Sequence, residues 1–409
     1  MTAFVRALAC SLALLAACRG ERGEGARAQA GASSTALMDA ADEAPLATSA
    51  AHRTGSAEKA GERVAIPAGK FFAGSTPGDP GRDPTLEAAS LEVELGAFEI
   101  DKLPHPNDPK KPPIFGADRD QASELCVAAG GRLCTELEWE RACKGVEGEA
   151  YAGAAAFAPG CAKNPETCAS GFGVLAMGGA MREWTASDVA PIKGFRTHAA
   201  AAVRGARADA ADVDHRCAHR VTVDADSSAP DLGFRCCYGA RDAATIPSPE
   251  LGAPFQETSF PPDRLAALFA SNPKLEAFAS EVKYFRKEAA IATVRKRGES
   301  RAPDAAAPAP ADVLTTSPLL WNPVPGEELL VVAGQSAGDR AFVVVFHRLS
   351  GERLRVAAAF LMEAEQGPIV LSYNPNVRKK LGWAICWECS GEAGNISYRN
   401  ENRVAITQK

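Results

Sequence analysis

Beyond its first residues the sequence lacks any apolar run of about 18 residues, the length that a membrane-spanning helix needs. It also lacks a basic excess, since 45 Lys and Arg stand against 51 Asp and Glu for a net charge of −6. The chain therefore lacks the excess positive charge that attracts nucleic acid, so we expect no nucleic-acid partner. We find no internal repeat, which excludes repeat architectures. The 409 residues leave room for two domains.

The one apolar run at the N-terminus has the pattern of an export signal. Arg6 precedes apolar residues 7–17, and the run ends in Leu15-Ala16-Ala17-Cys18. This tetrad resembles the lipobox of bacterial lipoproteins, whose cysteine carries acyl chains that anchor the mature protein to a membrane. We therefore expect residues 1–17 to be a signal peptide and Cys18 to be lipidated. Arg19, rather than Asp, after the lipid site implies an outer-membrane lipoprotein facing the periplasm or the exterior.

The cysteine count agrees with export. Of 12 cysteines, Cys10 lies in the predicted signal and Cys18 is the predicted lipid site. The remaining ten are an even number, which together with export favours disulfides over free thiols or zinc ligands.

Composition divides the mature chain into three segments. Residues 18–62 hold almost no large apolar residues and are predicted to be a disordered tether. Residues 63–240 hold eight of the ten cysteines and many short segments punctuated by Gly and Pro. Within them only 118–128 and 136–144 have clear helical spacing, with Thr135 as the predicted N-cap of the second helix.

Residues 241–409 are predicted to form a second, β-rich α+β domain. Helical spacing covers 262–282, interrupted at Pro273. Turn signals then separate predicted strands, which suggest an antiparallel meander with helix packed against it. These strands are residues 328–333, 341–349, 353–361, 369–373, 383–387, 395–398 and 403–407.

Three blocks of the first domain carry a family resemblance. They are VAIPAGKF at 64–71, GRLCTELEWERAC at 131–143 and LGFRC at 232–236. In order and separation they resemble motifs of the sulfatase-modifying-factor family, the formylglycine-generating enzymes. The resemblance implies an α+β, largely irregular domain related to C-type lectin-like folds.

The resemblance also implies how the cysteines pair. Two structural disulfides of the family fall on Cys126–Cys236 and Cys143–Cys217. Cys134 and Cys237 then remain in the same two segments as a third pair, and the near neighbours Cys161 and Cys168 as a fourth. A zinc site of four thiolates is the rival interpretation, which the spacing of Cys134 and Cys143 does not favour.

The reactive centre of the family is missing. In active members two cysteines, five and ten residues before the one matched by Cys217, bind copper and engage the substrate. Here those positions are Asp212 and Arg207, and neither side chain can replace a soft thiolate ligand. Ala176 and Ala180 replace residues near a structural calcium, which needs oxygen ligands. We therefore expect no catalytic residue, no metal and no cofactor.

Another branch of the superfamily uses iron held by histidines. His215 and His219 have i, i+4 spacing, which on a helix could bind a metal. Because Cys217 between them is expected in a disulfide and the segment is not clearly helical, we favour a solvent-facing, structural role for both.

The second domain resembles no family that we recognise, and its one motif is Cys386-Trp387-Glu388-Cys389. Turn residues follow this motif, whereas a thioredoxin-like redox site has a helix there. We favour a structural hairpin disulfide between Cys386 and Cys389. A redox pair and a metal site remain the alternatives.

These observations favour a non-enzymatic lipoprotein, whose degenerate domain acts as a binding or structural module for an envelope protein or glycan. The first alternative is a metal-dependent oxidase or hydroxylase of the same superfamily acting on peptide or thiol substrates. The second is redox chemistry by Cys386 and Cys389.

Overall fold

The computed structural model describes residues 38–39, 53, 55–164, 167–179, 181–301, 313–362, 367–387, 389, 391–399 and 403–409. The predicted signal peptide, Cys18 and most of the predicted tether lie outside these residues. Within the described part of the chain, no helix is both long and apolar enough to cross a membrane.

The first region, residues 63–240, is built from short strands around three helices. The helices are α1 (Arg119–Ala128), α2 (Glu136–Lys144) and α3 (Pro159–Lys163). Strand β1 (Met38–Asp39) lies upstream, and the strands of the region are β2 (Arg63–Ile66), β3 (Gly69–Ala73), β4 (Leu91–Leu95), β5 (Phe98–Asp101), β6 (Arg132–Leu133), β7 (Arg182–Val189), β8 (Ala200–Gly205), β9 (Arg220–Val223), β10 (Leu232–Phe234) and β11 (Cys236–Tyr238). They form sheets ordered β2-β5-β11-β6 and β10-β7-β8-β9, and the hairpin β3-β4.

Both predicted helices of this region begin directly after an N-cap residue whose side chain accepts a hydrogen bond from the first turn. Asp118 and Gln121 form a capping box at the start of α1, and Thr135 and Glu138 form one at α2. The predicted N-cap at Thr135 is thus confirmed. All nine residues of α2 are buried, because the helix packs against β3, β7 and β8 at once. Helix α2 is therefore the centre of the first region.

The second region, residues 241–409, is a two-sheet sandwich with a helix on each outer face. Its helices are α4 (Pro262–Ala270) and α5 (Lys287–Arg301). Its strands are β12 (Phe255–Glu257), β13 (Val313–Thr315), β14 (Leu319–Trp321), β15 (Leu329–Gln335), β16 (Ala341–Arg348), β17 (Leu354–Met362), β18 (Val370–Tyr373), β19 (Lys380–Ala384), β20 (Ala393–Arg399) and β21 (Arg403–Gln408).

The two sheets have the orders β1-β17-β16-β15-β14-β12 and β13-β18-β19-β20-β21, with antiparallel pairing throughout. Their inner faces share one apolar core that includes Trp321 and Trp383. Helix α4 covers the outer face of the first sheet through Leu265 and Phe269. Helix α5 covers part of the outer face of the second through Ala290 and Val294.

The α+β class is confirmed, and the structure differs from the sequence-based expectation in two respects. The strands expected as one meander divide between two sheets. The reason is that both faces of each sheet carry apolar side chains, which are buried against the other sheet on one side and against a helix on the other. The stretch predicted as helix over 262–282 ends at Ala270, and a 3-10 turn, Glu276–Phe278, follows Pro273.

The two regions share a buried contact. Arg82 Nη1 lies 2.9 Å from Glu327 Oε2, and neither side chain is exposed. Nearby, the positive φ of Gly326 brings its backbone against the carbonyl oxygen of Pro84, where a Cβ would collide. Arg355 of β17 adds an ion pair to Asp79 at 3.1 Å.

Candidate functional site

Disulfides brace the first region. The structure joins the ten cysteines in the pairs expected from the sequence, namely Cys126–Cys236, Cys134–Cys237, Cys143–Cys217, Cys161–Cys168 and Cys386–Cys389. Three of these connect the segment around α1 and α2 to residues 74 to 110 positions away. They hold together a region whose backbone is otherwise largely irregular.

The residues of the family-like motifs are interlocked by buried ion pairs. Arg235 of the LGFRC block donates two hydrogen bonds to Glu183, at 2.7 and 2.8 Å. The same carboxylate accepts the indole N–H of Trp139 at 2.9 Å. These hydrogen bonds give the motif residues a role in holding the fold together that does not depend on catalysis.

A second buried network surrounds α2. Glu136 accepts from Arg204 at 2.9 Å and from Arg220 at 2.6 Å. Glu140 lies 2.8 Å from Lys144 and 3.0 Å from Arg204. Burial alone would raise the pKa of Glu140, but Lys144 and Arg204 outweigh it and lower that pKa. Glu136, Glu140 and Lys144 of the buried helix are thus each paired with an opposite charge.

The two positions that the motif resemblance assigns to copper-binding cysteines lie at the surface. Arg207 is exposed and pairs with Asp209 through two contacts of 2.9 and 3.2 Å. Asp212 is exposed at the start of a 3-10 turn, Asp212–His215. The next cysteine, Cys217, is fully buried and bonded to Cys143. These donors do not fit a Cu(I) centre, which needs thiolates.

His215 and His219 have different environments. His215 is buried, with its ring stacked on Phe157 at 4.3 Å and Nδ1 2.8 Å from the carbonyl oxygen of Gly178. The expectation that it faces solvent was wrong, because its 3-10 turn packs against both Phe157 and the backbone of Gly178. His219 is half-buried, and burial lowers its pKa. Ala176 is buried and offers no oxygen ligand, while Ala180 lies outside the described residues.

Two groups of side chains in the described chain have metal-ligand spacing, Asp101/His105/Cys236 and Cys386/Cys389/Glu392. The cysteines of both groups are joined in disulfides. Asp101 already accepts from the backbone N–H of Cys236 and the hydroxyl of Tyr238, both at 3.0 Å. That carboxylate therefore has a structural role.

An open groove of about 440 Å³ lies between the β3–β4 hairpin and the loop after α2. At its base Lys144 Nζ donates to the carbonyl oxygens of Phe72 and Gly74, both at 2.6 Å. Arg216 is held by Glu87 at 2.7 Å. The side chains left open to solvent include Phe72 and Val146, which are 59% and 69% exposed.

This groove was not predicted from the sequence, although a signal for Phe72 was present. In an alternating strand, neighbouring residues face opposite sides. Since Phe71 and Phe72 are adjacent in β3 and Phe71 is buried, Phe72 must face outward. Val146 lies in a loop and gave no such signal.

Comparison with known proteins agrees with the motif resemblance. Residues 103–240 match the sulfatase-modifying factor enzyme 1-like domain. No curated protein matches the chain. The solved structure of PvdO from Pseudomonas aeruginosa is 18% identical, covering 44% of this chain and 99% of PvdO with a TM-score of 0.32. Treponema denticola variable protein 1 is 14% identical, covering 46% of this chain and 99% of its own with a TM-score of 0.35. The chain thus carries a sulfatase-modifying factor enzyme 1-like domain over residues 103–240.

Proposed function

We propose that this protein is an exported lipoprotein whose sulfatase-modifying factor-like domain has lost oxidase chemistry and serves as a disulfide-braced binding module. One observation carries the proposal. The motif residues that build the domain, Arg235 and Trp139 among them, are in place and paired. The two reactive positions instead hold exposed Arg207 and Asp212.

The chemistry supports this division. Copper-dependent oxidation in the family needs two thiolates, one of which also exchanges with the substrate cysteine. In this chain the positions carry a guanidinium, already paired with Asp209, and a carboxylate. No cysteine lies between Cys168 and Cys217 that could substitute for them.

The groove between the β3–β4 hairpin and the loop after α2 is the binding surface that the geometry favours. Its buried cations are neutralised within the protein, so it offers a ligand no unpaired charge at its base. What it offers is apolar surface on Phe72 and Val146. Exposed apolar side chains that line a groove favour a protein segment with its own apolar anchor as the partner. A glycan partner for this groove is an outcome that the experiment below distinguishes.

The anchor completes the proposal. A lipid on Cys18 would place the protein at the outer membrane, in a compartment where disulfides persist. The residues between Cys18 and β1, which pairs with β17, would link the folded part to the membrane and let it stand clear of it. The anchor and the tether remain predictions from the sequence.

A crosslinking experiment in cells tests the groove. A photoreactive amino acid at position 72 or 146 of the full-length chain should give a discrete protein adduct. The same group at Val127, which is 64% exposed on α1, is the matched control and should give none. Phe72→Asp should abolish the adduct formed from position 146, whereas Val127→Asp should not. Adducts of equal yield at all three positions, or adducts that are glycans only, would overturn this surface as a protein-binding site.

The alternative function, a metal-dependent oxidase or hydroxylase acting on peptides or thiols, would need ligands at other positions. Copper or iron retained stoichiometrically by the mature protein through purification would favour this alternative over the proposal.

A further inference from the structure

A cavity of about 340 Å³ lies in the second region, far in sequence from the family-like domain. It lies against the outer face of the sheet β13-β18-β19-β20-β21. Helix α5 covers one end of that face through Ala290 and Val294, which pack on Val370 and Ala384. No helix of the described residues covers the other end of the face, and the cavity is there.

The floor of the cavity is a cross-strand row of small and polar residues. Ser372, Gly382 and Asn395 are directly paired on β18, β19 and β20, and so share one face of the sheet. A Cβ on Gly382 would lie 2.5 Å from Ser372 Oγ. The missing side chain therefore creates the depression, flanked by a hydroxyl on one strand and an amide on the next.

One wall of the cavity is Trp387, and three contacts fix its backbone. The disulfide Cys386–Cys389 closes the loop on both sides of it. Its N–H donates to the carbonyl oxygen of Val294 on α5 at 3.2 Å. Gly298 of α5 lies so close to Trp387 that a Cβ there would collide with it. The indole N–H of Trp387 has no hydrogen-bond partner among the described residues. That nitrogen is itself buried, so the loop presents to the cavity a pre-positioned aromatic ring and not a donor.

Among the described residues, the charged side chains that line the cavity have one sign. Its lining includes Lys380 and Lys409 and, of the described residues, no Asp or Glu. Lys380 lies on the cavity face of β19, two residues from Gly382, and Lys409 follows β21. Asn374 adds a second amide at the rim. An aromatic wall, amide and hydroxyl groups and two cations are thus brought together in a space the size of a small-ligand site.

We propose that this cavity binds an acidic saccharide of one or two rings. The flat ring of Trp387 stacks on the apolar face of a sugar, as aromatic side chains do with flat apolar surfaces. The hydroxyl groups of the sugar exchange hydrogen bonds with Ser372 and Asn395. Its carboxylate or phosphate is held by Lys380 and Lys409. In this account the Cys386–Cys389 disulfide is a positioning element for Trp387. The proposal does not depend on the function of the first region.

Isothermal titration calorimetry with the full mature chain tests the proposal. The probes are glucuronate, galacturonate, N-acetylneuraminate and glucose 6-phosphate, with glucose and galactose as neutral counterparts. We expect at least one acidic probe to bind more tightly than its neutral counterpart, and less tightly at higher salt. Trp387→Ala should weaken binding about tenfold, and Lys380→Gln about three- to fivefold. Lys379→Gln is the matched control, because Lys379 is exposed next in the chain but does not line the cavity.

Further variants guard against a folding defect. Trp387→Phe keeps an aromatic ring, and Asn395→Asp keeps the shape of the cavity while adding a negative charge. Asn395→Asp should weaken acidic probes more than neutral ones. Binding of none of the acidic probes at millimolar concentration would overturn the proposal. So would preference for the neutral sugars, or an affinity that Trp387→Ala and Lys380→Gln leave unchanged.

Discussion

Arg82 in the first region and Glu327 in the second form an ion pair of 2.9 Å in which neither side chain is exposed to solvent. Glu327 also lies 2.9 Å from Nδ1 of His347, on β16. Charges with so little access to water are tolerated only when paired, so the contact fixes the two regions against each other. Residues 63–240 and 241–409 thus share a polar interior and should unfold together.

Removal of the carboxylate tests this coupling. Glu327→Gln leaves the Arg82 guanidinium buried without its counter-charge, and we expect a loss of about 3–5 kcal/mol in the free energy of unfolding. Urea denaturation followed by tryptophan fluorescence measures it. The neighbouring Glu328, whose pair with Arg348 is exposed, is the matched control. Glu328→Gln should cost about 1 kcal/mol or less. Equal losses for the two variants would contradict the coupling.

A disulfide that closes a longer loop should stabilise the protein more than one that closes a short loop. By the chain-entropy model, removal of Cys126–Cys236, which spans 110 residues, should cost about 4–5 kcal/mol. Removal of Cys161–Cys168, which spans 7, should cost about 2–3 kcal/mol. Thermal unfolding of the two double Cys→Ala variants, one for each disulfide, shows which disulfide stabilises the protein more. A larger loss from the short loop would refute this expectation.

The same cysteines should be inaccessible to alkylating reagents in the denatured, unreduced protein. Mass spectrometry of the mature chain after denaturation should find none of the ten labelled before reduction, and all ten labelled after. A labelled pair at Cys386 and Cys389 would instead favour the redox alternative for that motif.

The stability of the protein should depend on pH through His219. Burial lowers the pKa of His219 below its usual 6.5, although Asp214 and Glu87 oppose the shift. The unfolded chain therefore takes up the proton first, so this contribution is complete above pH 6.5 and is lost as pH falls through the folded-state pKa. His219→Gln should flatten the fall in urea midpoint between pH 7.5 and pH 5.5. His198→Gln, at an exposed histidine, should leave the slope unchanged.

The urea midpoint of the His219→Gln variant should still fall to some extent as the pH is lowered. Burial also lowers the pKa of His105, whose ring stacks on Phe234 at 4.8 Å. A variant slope equal to that of the parent protein would exclude His219 as a source of the pH dependence.

The lipid anchor is tested by labelling in cells. A clickable palmitate analogue should be incorporated into the full-length protein, and Cys18→Ser should abolish incorporation and release the protein from the membrane fraction. Cys10→Ser, inside the predicted signal, is the control and should retain the label. A label that persists in Cys18→Ser would place the lipid elsewhere.

Much of the fold was predictable wherever one side-chain pattern determined it. Thr135 is the expected N-cap of α2, and the strands from Leu329 to Gln408 lie within a few residues of the predicted β-rich runs. The pairing of Cys134 with Cys237 followed from the resemblance, because motif order fixes which segments meet.

Other features depend on contacts between distant residues and had no local signal. Helix α5 has Gly298 within it and only a small apolar face, and it is held by packing on the second sheet. The pair Arg82–Glu327 joins positions 245 residues apart, each unremarkable in its own segment. The division of the strands into two sheets likewise depends on which apolar faces meet across the core.

Equilibrium Cu(I) binding to the mature protein, in competition with a chromogenic chelator, tests the central claim most directly. We predict no stoichiometric Cu(I) binding by the parent protein, because Arg207 and Asp212 stand where thiolates are required. The double variant Arg207→Cys/Asp212→Cys should gain one tightly bound Cu(I) per chain, since the surrounding scaffold is intact. Stoichiometric Cu(I) binding by the parent protein, equal to that of the double variant, would contradict the account of a domain that binds a partner and does not oxidise it.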